Sequence, residues 1–259
     1  MSGSKRQRAA NVSAVRAKPE KTPLFRVLSW IIIPFLLLVG RYRIVGGSRI
    51  PKTGAFILAP NHLTDLDPLV SAYALWTTGR VPRFLAKASL FRLPVAGAVL
   101  RATGQIPVER GGRQREGDPL GAASRLVDDG LAVIVYPEGS LTRDPDLWPM
   151  RGKSGAVRLA IEHDIPIIPM AHWGAQRILP RYSKRLSLFP RKDVDIRFGE
   201  PVDLGFWAEG PRTPADYAAA TNAVMQAITA LLSELRHEQA PEERWDPAAH
   251  GQNEFGRPD

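Results

Sequence analysis

The chain of 259 residues contains no cysteine. That absence excludes disulfide frameworks, thiolate metal sites and cysteine nucleophiles, and it suits a reducing compartment. Acidic residues are the scarcer charge: 26 Asp and Glu face 35 Lys and Arg, a net charge of +9. Such a balance points to an anionic partner, which charge alone leaves open as nucleic acid, an anionic membrane or a phosphorylated substrate. A long apolar run is missing as well. The stretch from Val27 to Val39 is too short to cross about 30 Å of hydrocarbon comfortably as a helix, and Pro34 would bend it. No small-residue cleavage site follows, which argues against a cleaved signal peptide. Internal repeats, a Gly-x-Ser-x-Gly elbow and nucleic-acid-binding motifs are all absent, so no nucleic-acid partner is expected. Gly152-Lys153-Ser154 resembles the end of a phosphate-binding loop, but Leu147 stands where that motif needs its first glycine. His62, His163 and His172 lack recognisable metal-ligand spacing, and no cofactor is expected.

What is present divides the chain into four parts. Residues 1–23 are a basic arm carrying six Lys and Arg against Glu20 alone, without apolar periodicity, and read as disordered. Residues 24–41 read as a helical segment that seats the protein on a membrane. Trp30 suits the headgroup boundary, and each nearby cation adds about 1 kcal/mol of attraction to anionic lipid. A buried core helix is the plainer alternative, and one tilted span is a third. The expected location is the cytoplasmic face of the cell membrane, peripheral or monotopic. From 42 to 237, β-branched runs at 42–45, 56–59, 83–86, 105–108, 133–136, 165–170 and 194–198 alternate with helical patterns at 68–76, 94–103, 121–129 and 154–163. This alternation predicts an α/β fold, a mostly parallel sheet flanked by helices, behind the N-terminal membrane-associating segment. Tyr217, Thr221, Val224, Ile228, Leu231 and Leu235 predict a long helix over 214–236. Residues 238–259 are acidic and proline-bearing, and read as a flexible tail.

The segment from Ala59 to Pro68 carries the chemistry. A buried strand ends at Pro60 and Pro68 suits a first helical turn, so His62 falls in a loop at a strand's carboxyl end, where open α/β sheets place ligands. On one continuous helix His62 and Asp67 would face apart, whereas a loop can fold the aspartate back onto the imidazole. In such a pair the histidine takes a proton from a hydroxyl while the aspartate fixes the tautomer, with no covalent intermediate. The competing reading makes Asp67, or Asp65, an ordinary helix N-cap.

Further blocks follow in order. Phe84-Leu85-Ala86-Lys87 with Phe91 leads to Gly104-Gln105-Ile106-Pro107-Val108-Glu109-Arg110, then to Tyr136-Pro137-Glu138-Gly139 and Ile165-Pro166-Ile167-Ile168-Pro169. With Asn61, His62 and Asp67 this series resembles the glycerolipid acyltransferase family, the 1-acylglycerol-3-phosphate acyltransferases and their relatives, across roughly 44–205. The resemblance implies that 42–237 is an acyltransferase domain. His62 would be the general base and Asp67 its partner. Arg110, Glu138 and Gly139 would hold the acceptor's glycerol phosphate, with Asn61, Lys87, Ser140 and Arg143 completing the substrate contacts. Ile168 and Pro169 would help form the acyl region. A guanidinium such as Arg110 offers a fork of donors matched to phosphate oxygens. The implied substrates are acyl-CoA or an acyl carrier protein and lysophosphatidic acid, met at an anionic membrane surface and giving phosphatidic acid; the alternatives are acylation of another lipid or glycolipid headgroup, or a non-catalytic lipid-binding membrane protein. One departure stands out. Many members carry Thr-Arg after Glu-Gly, whereas this chain has Ser140-Leu141, with Arg143 two residues on and Lys153 a second compensating cation.

Overall fold

The protein is described by a computed structural model over residues 21–108, 123 and 127–253. Arg110 and most of the helix expected at 121–129 lie outside these residues, as do 1–20 of the basic arm.

The central strand is β2 (Phe56–Pro60), buried at every position. A strand so placed must be apolar on both faces, which is why its sequence shows no alternation. It lies between β5 (Ala132–Ile134) and β6 (Ile167–Trp173), parallel to both. Beyond β6 come β7 (Lys192–Phe198) and β1 (Gly40–Val45), giving the order β1-β7-β6-β2-β5. β6 and β7 run antiparallel, while β1 and β7 are parallel. The mostly parallel sheet predicted by the alternation is thus present with one reversed pair. A short parallel pair, β3 (Leu85–Lys87) and β4 (Ile106–Val108), continues the sheet past β5 through a bridge from Phe84 to Ile134.

Helices cover both faces. Phe56 and Leu58 point into a core shared with α1 (Pro23–Val39) and α2 (Asp67–Thr77), where Leu36, Val70, Ala74 and Leu75 are buried. Ile57 and Ala59 face the opposite core, built on α4 (Gly155–His163) and α7 (Pro214–Arg236). The remaining α-helices among the described residues are α3 (Pro94–Ala102), α5 (Ala175–Ile178) and α6 (Gly205–Glu209). α7 spans the residues its periodicity predicts. Its Thr213 side chain accepts the Asp216 amide while Asp216 accepts that of Thr213, a reciprocal cap whose removal costs about 1 kcal/mol.

α1 packs by one side only. Phe25, Leu36 and Val39 are buried, whereas Trp30 is 78% and Ile31 65% exposed. The helix continues through Pro34, whose ring forfeits the bond to the Trp30 carbonyl. No helix among the described residues is long and apolar enough to cross a membrane.

The stretch read as a loose tail is tied down over 244–252. Arg151 pairs with Asp246 at 3.1 Å, Trp245 stacks on His250, and Arg244 donates to Asn222 on α7. Composition suggested looseness because the stretch is acidic and carries proline, but a tryptophan stack and two polar contacts supply the anchoring.

Candidate active site

His62 stands just past the carboxyl end of β2. Its neighbour Asn61 is fully buried and turned into the fold: Nδ2 donates to the His172 carbonyl at 3.1 Å and Oδ1 accepts the His172 amide at 2.9 Å. Asn61 thereby extends the β2–β6 pairing through its side chain. Both of its polar atoms are engaged inside the fold, where the resemblance implied a substrate contact.

The imidazole is held at one nitrogen. Asp67 Oδ2 lies 2.9 Å from His62 Nδ1 and also accepts the amides of Leu63 and Thr64. The Asp67 carboxylate therefore reaches back to the residues before the helix. An N-cap would reach forward to N2 or N3, and Asp67 sits at the first helical position after Leu66. With Nδ1–H aimed at Asp67, the lone pair resides on Nε2, the nitrogen a base uses. The side chain is 10% exposed, while Asp67 is sealed.

The main chain of His62 is fixed as firmly. Its amide donates to Glu138 Oε1 at 2.8 Å and its carbonyl accepts the Thr142 amide at 2.8 Å. Glu138 Oε2 accepts the Met150 amide at 3.1 Å, so this carboxyl joins the β2 loop to the loop after β5. Burial pushes the Glu138 carboxyl up to about 8, against the downward pull of the Met150 and His62 amides. The sequence reading aimed Glu138 at a substrate. Both of its oxygens instead bind main chain, and it is 1% exposed.

Gly139 has φ +73° and lies under Lys153, so a Cβ there would combine left-handed backbone with a contact of 3.2 Å. Ser140 and Arg143 are buried in the loop that follows, which Arg181 braces by donating to the Thr142 and Asp144 carbonyls. Leu141 is buried too. Lys87 is exposed at the end of β3. Ile168 and Pro169 lie inside β6, with Ile168 at 0% exposure in the α1–α2 core. Their side chains fill the sheet and its flanking core, a placement that alternation in a buried parallel strand demands.

Two contributors escaped the sequence reading. His172, fully buried on β6, brings Nε2 to 3.5 Å from Asp67 Oδ1, so the carboxylate lies between two imidazoles. Burial holds the His172 imidazole below its ordinary value, against the pull of the Asp67 charge. Tyr136 stacks on His62 with ring centroids 4.1 Å apart and an angle of 25°, and its hydroxyl meets Ser71 Oγ at 3.0 Å.

Two cavities open on the elements that carry the site, neither of them lined by His62 itself. One, of about 560 Å³, is lined by Glu138, Arg151, Lys153 and Arg158 together with residues of α7. The other, about 210 Å³ and almost wholly apolar, runs between α1 and α2 from Pro68, next to Asp67, to Trp76. Among the described residues no three His, Asp or Glu side chains gather as a metal ion would need.

The raised carboxyl has a measurable consequence. The neutral form of Glu138 is favoured by the fold, so its contribution to stability is full below about 4.5 and is lost as pH rises towards about 8. We expect Glu138→Gln to gain in melting temperature relative to the parent as pH climbs through that window. A constant difference between the two proteins across the window would show that the carboxyl titrates normally.

Comparison with known proteins gives the same fold and a family. The chain is 28% identical to the 1-acyl-sn-glycerol-3-phosphate acyltransferase BAT2, chloroplastic, of Brassica napus, over 65% of this chain and 54% of that one. The chain thus spans about half the length of this curated relative. It is 27% identical to 1-acyl-sn-glycerol-3-phosphate acyltransferase alpha of Homo sapiens, over 88% of this chain and 76% of the relative. The crystal structure of the 1-acyl-sn-glycerophosphate (LPA) acyltransferase PlsC from Thermotoga maritima superposes with a TM-score of 0.63 at 21% identity, covering 92% of this chain and 90% of that one. That likeness fixes the fold, mixed α/β with a helix in front. The acyltransferase family model matches residues 41–173, about half the chain and the part that holds His62, Asp67, Glu138 and His172. This chain belongs to the acyltransferase family.

Proposed function

We propose that the protein transfers a fatty acyl group from a thioester, carried by coenzyme A or an acyl carrier protein, to the free hydroxyl of 1-acylglycerol 3-phosphate, forming phosphatidic acid. The observation that carries this reading is the His62–Asp67 pair, with Nδ1 engaged at 2.9 Å and Nε2 left for the acceptor. In the proposed step Nε2 removes the hydroxyl proton as the oxygen attacks the thioester carbonyl. The carbon–sulfur bond then breaks, and the departing sulfur takes the proton from the His62 imidazolium, leaving as a thiol and restoring the neutral base. Asp67 keeps the tautomer and balances the imidazolium charge.

The surroundings suit both ends of such a reaction. The apolar cavity beginning at Pro68 offers room for hydrocarbon, and the cationic cavity at Lys153 and Arg158 suits a phosphate-bearing portion of a substrate. Arg110, Gly139, Ser140, Arg143 and Lys87 keep the substrate-binding roles the family resemblance gives them. The exposed apolar side of α1 supports seating on a membrane surface. A second reading, acylation of another lipid or glycolipid headgroup, is favoured by Leu141, a buried leucine where many members carry arginine.

Mass spectrometry of lipid products decides between them. Purified protein given an acyl thioester and a panel of lysolipids is expected to convert lysophosphatidate to phosphatidate faster than any other acceptor. Preferential acylation of an uncharged headgroup would transfer the assignment to the second reading.

A further inference from the structure

The segment between α5 and β7 carries a surface that the acyl-transfer site does not use. Lys184 to Pro190 are exposed one after another, and Leu186, Leu188 and Phe189 among them are 46%, 37% and 66% exposed. Lys184 and Arg185 precede these side chains and Arg191 and Lys192 follow. The nearest acid, Asp193, is already paired with Arg41, and Asp195 with Arg43. An apolar tip set in uncompensated cations is unsuited to water and suited to a headgroup layer bearing negative charge.

The position of the loop matters as much as its chemistry. Arg191 donates to the Gly40 carbonyl at 2.8 Å, and Gly40 pairs with Lys192 across β1 and β7. The loop therefore leaves the domain beside the end of α1, where Leu37 and Leu38 are exposed. At its other end it is tied to the site. Thr64, in the loop between His62 and Asp67, donates through Oγ1 to the Leu179 carbonyl, and Arg181 braces the Thr142 loop. The Ser187 amide folds the tip back onto the Ile178 carbonyl at 2.7 Å.

We propose that Lys184–Pro190 is a second membrane contact, inserting Leu186, Leu188 and Phe189 among anionic headgroups beside α1 and fixing the orientation of the His62 site towards lipid-borne acceptor. The proposal rests on the reading that the protein works at a membrane surface. Two separate contacts define an orientation that a single helix, free to roll about its axis, does not.

The test uses the full chain and vesicles of neutral lipid with or without anionic phosphatidylglycerol. Replacing Leu186, Leu188 and Phe189 by serine is expected to weaken binding to anionic vesicles at least tenfold without changing the melting temperature, since all three are exposed. Lys184→Gln with Arg185→Gln should reduce the preference for anionic over neutral vesicles by about fivefold per cation, and an unchanged preference would overturn the proposal. The serine variant should keep its turnover on a monomeric, short-chain acceptor and lose it on acceptor embedded in vesicles. A parallel variant, Trp30→Ser with Ile31→Ser, separates the two ideas. If it releases the protein while the loop variant binds as the parent does, the loop proposal is overturned and membrane seating stands. If the parent itself ignores vesicles, both fall. A loop variant that changes from dimer to monomer in light scattering, with vesicle binding intact, would make the tip a contact between copies and overturn the proposal as well.

Discussion

His62→Ala is expected to lower kcat by about two to four orders of magnitude, the share a positioned acid–base group supplies. Three features make the residue hard to replace. Its Nδ1, amide and carbonyl are all bound within the fold, so the ring is delivered in one orientation with Nε2 outward. No other histidine can take over: His172 is sealed behind Asp67. Water held by Asp67 in the vacated space would stand where Nδ1 was and not where Nε2 acts. Single-turnover kinetics with a lysolipid acceptor, and circular dichroism to verify the fold, measure the effect. Retention of more than about a tenth of the parent kcat, under ~1.4 kcal/mol in barrier, would remove His62 from the role of base.

Asp67→Asn should approach the same loss by another route. With the amide oxygen in the Oδ2 position it can still accept from Leu63, Thr64 and His62 Nδ1, while its NH2 takes the Oδ1 position facing His172. The His62 ring would keep its tautomer but lose the negative charge that balances the imidazolium, so kcat should still fall by about a hundredfold, the lower end of what a positioned acid–base group supplies. Asp67→Ala adds a stability cost, because two buried amides lose their acceptor at about 1–3 kcal/mol each. Kinetics and thermal melting together separate the two variants: the asparagine protein should stay folded with a reduced kcat, the alanine protein should be inactive and less stable. An asparagine variant as active as the parent would reduce Asp67 to a structural clasp for the 62–67 loop.

The sheet was legible because its strands are short, apolar and separated by helical patterns. Phe56 to Ala59 and the whole of α7 fall where hydrophobic spacing put them. The approach of Asp67 to His62 was legible for a local reason: the seven residues between Pro60 and Pro68 leave a loop able to fold back. What was hidden depends on partners far away in sequence. His172 reaches Asp67 only through the register of β2 on β6, and no local pattern announces that. Glu138 looked like a substrate contact because it follows a strand end at a turn. Its oxygens are instead claimed by the amides of His62 and Met150, which a linear reading cannot foresee. The antiparallel turn of β7 was hidden too, since a strand's direction depends on its connection and leaves no mark on its composition.

The stacking of Tyr136 beneath His62 bears on what happens to the proton. An aromatic face carries the negative lobe of a quadrupole, and it attracts a cation more than a neutral ring. When the imidazole becomes imidazolium, the contact at 4.1 Å changes from dispersion between two neutral rings to attraction between a charge and a π cloud, worth about 0.5–2 kcal/mol. Ser71 at the Tyr136 hydroxyl keeps the plate from tilting away. The tyrosine thus acts as a counterion without a charge: it favours the transient cation and adds no formal negative charge beside a carboxylate that is already there.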